Sequence, residues 1–259
     1  MQRCFPPVAA LTLLVAACVA VVLLPGTVRA DDGSPSTPDA TAQIGIGGIY
    51  RPGYWTGVRL PRTLGDLGPV QGVETLDSDG VRVRYRQPQT TAASDSQAWS
   101  YIVAGAAAVP LQFYGQEGEL LWQGRLTGNA LAPATPWIVV IGDSLGMESI
   151  GRSALLGRES SLVTVPVETA SMLPDDAAGW DGVDLLIINA AGAEILRQLS
   201  ERQIGAITDW VSGGGRLFLA LGANGAALLS QSPWLAELAG LPLDAAAIRL
   251  DPAALETYV

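Results

Sequence analysis

Two of the residue types that enzymes commonly use as catalytic bases are missing from the sequence. Its 259 residues include no histidine, and all 15 basic residues are arginine, so lysine is missing as well. The two cysteines, Cys4 and Cys18, lie near the N-terminus. Because a serine hydroxyl needs an adjacent base to become a good nucleophile, the usual catalytic pairs are excluded. A phosphate-binding loop is excluded too, since it requires a lysine.

Positive charge is scarce relative to negative charge. The 25 acidic residues outnumber the arginines, and the formal net charge is −10 at pH 7. Nucleic acids and anionic membrane surfaces bind proteins through basic patches. We therefore expect no nucleic-acid partner, and we interpret the acidic exterior as a solvated protein surface.

The N-terminal segment has the pattern of an export signal. Arg3 supplies a positive charge, residues 8–24 form an apolar core, and small residues precede a cleavage point after Ala30. We predict that residues 1–30 are a signal peptide and that the protein is exported to the periplasm or cell envelope. Cleavage would leave no cysteine, and hence no disulfide, and would change the formal net charge from −10 to −12.

Two alternatives to simple cleavage remain open. Cys18 follows a Val-Ala-Ala sequence that matches a lipoprotein signal, which would make it a lipidated N-terminus, although apolar residues continue after it. The apolar run is also just long enough to stay in place as a membrane anchor. Either alternative would attach the protein to the membrane through its N-terminal segment. Whether a C-terminal anchor follows the given sequence is left open as well.

Residues 31–41 are rich in proline, serine and aspartate, and we predict a disordered linker there. Residues 42–135 have the pattern of a small all-β, sandwich-like domain, because short β-branched and aromatic segments alternate with turns. The pairs Asp79-Gly80 and Glu117-Gly118 predict the turns of two hairpins. We predict strands at 44–50, 55–60, 70–76, 81–87, 111–114 and 120–126.

The predicted strand at 81–87 shows a two-residue period. Val81, Val83 and Tyr85 alternate with the three arginines of residues 82–86. We predict that the apolar residues are buried and that the arginines form a solvated face, which protects a strand against edge pairing. An acidic partner bound to the arginines is the alternative.

Residues 136–259 have the pattern of an α/β domain, and a segment with two prolines at 130–136 marks the boundary before it. Continuous apolar runs predict an open, mainly parallel sheet flanked by helices. We predict strands at 137–141, 162–167, 184–189 and 216–221, and helices at 147–156, 193–199, 200–212 and 232–239.

The predicted helix after residue 200 carries the clearest local signals. Ser200 and Gln203 match a capping box, and Ile204, Ile207 and Val211 recur on one helical face. A run of glycines at 213–215 ends the helix. We predict a crossover helix that joins two parallel strands and buries this apolar face against the sheet.

Small polar residues follow the predicted strands of the parallel sheet. Ligands bind beyond the carboxyl ends of such strands, so Asp143, Ser144, Asn189 and Asn224 are candidate ligand-binding residues. The same residue types are typical of turns and caps. The segment after Asp143 lacks the serines of an Asp-x-Ser-x-Ser metal motif. We predict neither a metal nor a cofactor.

The residues Gly142-Asp143-Ser144-Leu145 match the signature of the GDSL (SGNH) hydrolases. The resemblance implies Ser144 as a nucleophile and Asn189 as an oxyanion-hole donor. The histidine base of that family has no counterpart in this sequence. We interpret the match as helix-capping chemistry, with Asp143 or Ser144 as the N-cap. A serine esterase that uses Ser144 is kept as the alternative function.

A broader resemblance runs from about residue 137 to residue 240. Its residues are Leu173-Pro174, then Trp180-Asp181-Gly182-Val183-Asp184, then Leu199-Ser200, and then Trp210-Val211-Ser212-Gly213-Gly214. This part resembles the class I glutamine amidotransferase-like domains of exported, membrane-associated bacterial proteins. The segment from Tyr50 to Arg59 resembles the opening of the β domain that precedes them.

The resemblance implies a flavodoxin-like fold. It does not imply amidotransferase activity, because the catalytic cysteine and histidine of that family are missing. We predict no catalytic residues and an exported, non-catalytic envelope protein. We expect it to bind or scaffold a protein partner in the cell envelope, or to bind a small ligand.

Overall fold

The computed structural model describes residues 42–60, 70–87, 99–105, 110–126, 128–147 and 162–241. The predicted signal peptide and linker, and most of the predicted helix at 147–156, lie outside these residues. The fold is α/β, with two antiparallel sheets and one short parallel pair of strands in the first half and a four-stranded parallel sheet in the second. No helix in the described ranges is both long enough and apolar enough to cross a membrane.

Short strands make up the regular structure of the described residues between 42 and 130. They are β1 (Gln43–Ile44), β2 (Ile49–Tyr50), β3 (Trp55–Arg59), β4 (Gly72–Leu76), β5 (Arg82–Arg86), β6 (Ser100–Val103), β7 (Pro110–Tyr114), β8 (Leu120–Arg125) and β9 (Asn129–Ala130). One antiparallel sheet has the order β1-β3-β6, and a second has the order β5-β4-β7-β8. Strands β2 and β9 pair in parallel.

Both predicted hairpins are confirmed. Strands β4 and β5 pair in antiparallel fashion, and the Asp77 carboxylate holds their turn by accepting the backbone N–H groups of Asp79 and Val81 at 2.9 and 2.8 Å. Strands β7 and β8 form the second hairpin. The two antiparallel sheets share one apolar core, to which Val58 contributes from the first sheet and Phe113 from the second.

The predicted strand at 44–50 is wrong. Strand β1 ends at Ile44, and the chain reverses through three glycines with positive φ before β2 begins at Ile49. Gly45 has a φ of 58°, and a Cβ atom there would lie 1.8 Å from the carbonyl oxygen of Ile49. Only glycine fits this turn, so the glycines mark a reversal rather than a strand.

The predicted burial of the apolar residues in β5 is also wrong in part. Val81 is 57% exposed, and Val83 and Tyr85 are half-buried. The reason is that β5 lies at the edge of its sheet, where only β4 pairs with it among the described strands. The arginines are exposed as predicted, and Arg82 and Arg84 form ion pairs with Glu74. Strand β6 was not predicted at all.

The second half contains a four-stranded parallel sheet and helices. Its elements are β10 (Trp137–Ile141), β11 (Val163–Pro166), β12 (Leu185–Asn189), β13 (Leu217–Ala220), α1 (Ala193–Arg197), α2 (Glu201–Ser212), α3 (Gly225–Gln231) and α4 (Pro233–Ala239). The strand order is β11-β10-β12-β13, and every neighbouring pair is parallel. The predicted open parallel sheet is therefore confirmed within the described residues.

The parallel sheet is apolar on both faces, as its continuous apolar runs predict. Val139, Ile141 and Leu186 belong to a large core that also contains buried residues of all four helices. Ile138 and Ile187 alternate with them and belong to a smaller cluster.

The capping box and the parallel crossover predicted for α2 are confirmed, and the predicted burial of its apolar face is confirmed in part. The Ser200 Oγ accepts the backbone N–H of Gln203 at 3.2 Å, and the Gln203 side chain accepts the backbone N–H of Ser200 at 3.0 Å. Ile207 is fully buried, while Ile204 and Val211 are half-buried against the same core. The helix connects β12 to β13, which are parallel.

The predicted helix at 232–239 is confirmed as α4, whereas the helix before it, α3, was not predicted. Helix α3 begins at Gly225 and ends at Gln231, and Ser232 then adopts φ −133° and ψ 71°. Pro233 opens α4, which suits a residue without a backbone N–H. Gly240, with a φ of 62°, ends α4 as predicted.

Candidate functional site

The carboxyl edge of the parallel sheet brings two of the four candidate residues together. The strand order reverses between β10 and β12, which is the place where open parallel sheets usually bind ligands. Asp143 follows β10 and Asn189 ends β12. The Asn189 Nδ2 donates to the backbone carbonyl of Asp143 at 2.7 Å, and the Asn189 Oδ1 accepts the backbone N–H of Asp143 at 3.1 Å.

The Asn189 amide fills the crevice between these two strand ends. Its side chain is 5% exposed, and its Oδ1 also accepts the backbone N–H of Ala191 at 3.1 Å. Gly142 has a φ of 119°, and a Cβ atom there would lie 2.2 Å from the Asn189 Oδ1. We call the hydrogen bonds of Asn189 to Asp143 and Ala191 the Asn189 clasp. The clasp links the ends of β10 and β12 and engages the Asn189 side chain, while the Asp143 side chain stays exposed.

The other two candidate residues do not join the clasp. Ser144 is half-buried, and its backbone carbonyl accepts the N–H of Met147 at 3.0 Å. The predicted N-cap role of Asp143 or Ser144 concerns a helix outside the described residues. Asn224 is exposed and makes no side-chain cap to the helix that follows it.

A second polar region, which the sequence does not predict, joins the first half of the chain to the parallel sheet. Arg51 is 5% exposed, and its guanidinium donates to both carboxylate oxygens of Asp184, at 3.3 and 2.7 Å. It also donates to the carbonyl of Thr135 at 2.7 Å. The same Asp184 carboxylate accepts the backbone N–H of Trp137 at 2.7 Å. We call this group of four residues the Arg51 interface.

The electrostatics of the Arg51 interface favour the charged pair. Burial by itself would raise the pKa of Asp184, but the hydrogen bonds from Arg51 and Trp137 outweigh burial and lower that pKa. Hydrogen bonding to Asp184 in turn raises the pKa of Arg51. Asp184 therefore stays ionised and holds the arginine that reaches it from the end of β2.

Further contacts extend the junction along β3 and β6. The Tyr101 hydroxyl donates to the Asp175 carboxylate at 2.6 Å, and burial raises the pKa of that hydroxyl. The Trp99 indole N–H donates to the carbonyl of Leu173 at 3.0 Å. The Asp181 carboxylate accepts the backbone N–H of Trp55 at 3.1 Å. The loop that precedes β12 is thus fixed against the first half of the chain.

Two clefts lie beside this junction. One has a volume of about 520 Å³ and is lined by Trp55, Asp181, Asp184, Asp209, Trp210, Arg216 and the glycine run 213–215; we call it the Trp55 cleft. The other, of about 420 Å³, is lined by Gln43, Arg59, Trp99, Met172 and the glycine turn that follows β1.

The Trp55 cleft is lined by charged, aromatic and glycine residues. It combines carboxylates, one guanidinium and two indole rings around a glycine backbone. It lies at the amino edge of the parallel sheet, since Asp184 and Arg216 immediately precede β12 and β13. Trp55 and the adjacent Tyr54 are exposed at this site, and exposed aromatic side chains often mark binding surfaces.

Comparison of the chain with models of protein families, with curated proteins and with solved structures finds no significant match.

Proposed function

We propose that this chain is an exported, non-catalytic protein of the cell envelope that binds or scaffolds a protein partner. The observation that carries the proposal is the contrast between two polar sites. At the carboxyl edge of the sheet, the amide of Asn189 is used in bonds to Asp143 and Ala191. At the amino edge, a cleft of about 520 Å³ leaves aromatic and carboxylate groups accessible.

The architecture that we propose supports this function. The shared core of the two antiparallel sheets supports a sandwich-like domain over residues 42–135. The strand order of the parallel sheet supports a glutamine amidotransferase-like domain over residues 136–259. A fold of this kind hosts many functions, so the absence of the family's cysteine and histidine separates fold from activity.

Cross-linking in the native envelope tests the proposal. The full-length chain with a C-terminal affinity tag is cross-linked in cells and purified under denaturing conditions, and the attached proteins are identified by mass spectrometry. An unrelated exported protein with the same tag is the control. We expect one or a few proteins to be enriched reproducibly. A chain that gives no enriched partner would contradict the scaffold function.

Export is tested separately by N-terminal sequencing of the purified protein. Asp31 as the first residue supports cleavage after Ala30. A lipidated Cys18 or an intact N-terminus supports membrane attachment. A full-length protein that accumulates only inside the cell would contradict export.

The alternative proposal is a serine esterase that uses Ser144. The position of Ser144, close behind the end of buried strand β10, favours it. Against it, the sequence has no histidine or lysine to act as the base, and Asn189 is engaged in the clasp. A fluorophosphonate probe distinguishes the two functions. We expect no stoichiometric labelling, whereas labelling that is lost in Ser144→Ala would establish the esterase.

A further inference from the structure

Trp55 is a large aromatic residue that stays exposed at the mouth of the Trp55 cleft. It is 41% exposed, and the adjacent Tyr54 is 38% exposed. Its ring is nevertheless fixed, because Tyr85 contacts it edge-to-face at a centroid distance of 5.5 Å. The hydrogen bond from the Trp55 backbone N–H to Asp181 fixes the main chain as well. The cleft therefore has a preformed aromatic wall, which loses little conformational freedom when a ligand binds.

Asp209 places a negative charge in the same cleft at an unfavourable position. It lies in the last turn of α2, where the helix dipole is negative and favours a cation. That turn contains no basic residue. Among the described residues, no arginine forms an ion pair with Asp209 or with Asp181. Within the described residues, the Asp209 carboxylate is therefore not in direct contact with a cationic side chain.

The arginines closest to the cleft act on a different carboxylate. Arg51 pairs with Asp184, and Arg216 also lowers the pKa of Asp184 through its charge. Arg51 and Arg216 thus both act on Asp184, whereas Asp209, which shares the cleft with Arg216, forms no ion pair among the described residues. A cationic ligand would complete the charge balance of the cleft.

The glycine run leaves space for a ligand side chain in the cleft. Helix α2 ends at Gly213, Gly214 and Gly215, and no side chains screen the main chain there. The carbonyls of Asp209, Val211 and Trp210 already accept the N–H groups of Gly213, Gly214 and Gly215, so a ligand would be held by side chains. A guanidinium can stack on an indole ring and bind a carboxylate at the same time. A neutral sugar would stack equally well but would leave the charge of Asp209 uncompensated.

We propose that the Trp55 cleft is the docking site for an extended basic segment of the partner protein. The site holds an arginine or lysine side chain of that segment between the Trp55 ring and the Asp209 carboxylate. This inference rests on the proposed function as a partner-binding protein, and it names the chemistry of the partner. The acidic character of the whole chain, with its net charge of −10, favours the same class of partner.

Peptide binding to the purified protein tests the docking site. The probe is a fluorescein-labelled peptide of glycine, serine and two arginines, and binding is measured by fluorescence anisotropy. The same peptide with citrulline in place of arginine keeps the shape and removes the charge. We expect saturable binding of the arginine peptide and loss of binding for the citrulline peptide.

Three variants locate the site. Asp209→Asn should weaken binding about tenfold, since a hydrogen bond to a charged group is lost. Trp55→Ala should weaken it about fivefold through loss of the cation–π contact. Glu237→Gln removes the same charge from an exposed position on α4, outside the cleft, and should change affinity less than about twofold. Circular dichroism of each variant confirms that it is folded.

Three results would overturn the docking site. Equal weakening by Asp209→Asn and Glu237→Gln would mean that the peptide responds only to net charge. Binding of a neutral oligosaccharide such as chitohexaose, lost in Trp55→Ala, without peptide binding would identify a glycan site. No binding of the arginine peptide at all would equally reject it.

Cross-linking of the variants in cells separates this inference from the proposed function. We expect Trp55→Ala and Asp209→Asn to lose the partner that the unmodified protein captures. If both variants keep that partner, the docking site is wrong and the scaffold function stands. If the unmodified protein captures no partner, the scaffold function itself fails.

Discussion

Both edges of the parallel sheet carry polar residues. At the carboxyl edge a polar side chain is buried and hydrogen-bonded, whereas at the amino edge one remains exposed. At the carboxyl edge, the Asn189 clasp joins the ends of β10 and β12, and the Asn189 side chain is 5% exposed. At the amino edge, Asp184 is paired with Arg51, while Asp209 remains exposed beside a cleft. The fold-level rule places ligands at the carboxyl edge. The comparison teaches that this rule locates a gap between strands, whereas hydrogen bonding decides whether the gap is open.

The largest loss of stability is expected from a substitution that adds a methyl group at the carboxyl edge. Gly142→Ala should reduce the free energy of unfolding by about 3 kcal/mol, because positive φ is unfavourable for alanine and the new methyl group displaces the Asn189 amide. Urea unfolding followed by tryptophan fluorescence measures this loss. Gly146→Ala is the matched control, since Gly146 has a φ of 79° but open space around a Cβ atom. Equal losses in the two variants would mean that the crevice is not filled.

Removing the clasp itself should have the next largest effect. Asn189→Ala leaves the backbone N–H groups of Asp143 and Ala191 without their acceptor and should cost about 2 kcal/mol. Asn224→Ala is the control, because the exposed Asn224 side chain caps no helix, and it should change stability by less than about 0.5 kcal/mol. Thermal unfolding of both variants measures the difference. A stable Asn189→Ala variant that loses partner binding would instead identify Asn189 as a binding residue.

At the amino edge, the Arg51 interface should make stability depend on pH. The folded-state pKa of Asp184 lies below its ordinary value of 3.8, so its contribution is present above that value and is lost as the pH falls through the folded-state pKa. Asp184→Asn should cost about 1–2 kcal/mol at pH 7, a modest value because solvent screens this partly exposed carboxylate. Urea unfolding from pH 7 to pH 2 should show the variant and the unmodified protein converging in acid. If the difference in stability between the two proteins stayed constant with pH, the lowered pKa of Asp184 would be contradicted.

The smallest predicted change in the free energy of unfolding is a gain instead of a loss. Asp209→Asn should raise the free energy of unfolding by about 0.3–1 kcal/mol, because it removes a negative charge from the last turn of α2. Glu201→Gln, in the first turn of the same helix, should lower it by a similar amount. Thermal unfolding at low ionic strength measures both shifts. A destabilised Asp209→Asn variant would show that Asp209 stabilises the fold instead of serving a ligand.

The sequence predicted best those features whose causes lie within a few residues. The capping box of α2 depends on Ser200 and Gln203 alone, and the hairpin between β4 and β5 depends on its own turn. The exposure of Val81 was missed because it depends on the place of β5 at a sheet edge. The turn at Gly45 was missed because its close contact with Ile49 is a property of the folded chain.

The candidate sites also depend on contacts between residues that are distant in the sequence. The sequence placed Asp143 and Asn189 at the ends of predicted parallel strands, but their mutual hydrogen bonds depend on the strand order and on the register of β10 and β12. The Trp55 cleft could not be predicted, because its lining comes from β3, from the loop before β12 and from the end of α2. These segments are distant in the sequence, and no local pattern links Trp55 to Asp209.

The pairing of Arg51 with Asp184 also has a consequence for the order of assembly. The two residues are separated by 133 positions, and Arg51 leaves the ribosome first. Until Asp184 follows, the guanidinium has to remain in water, since burying it alone would leave a charge without a partner. The flank of β2 and β3, where Arg51 lies, can therefore be buried only after β10 and β11 have been synthesised. A nascent chain released before residue 184 would carry its first strands with that flank open to solvent.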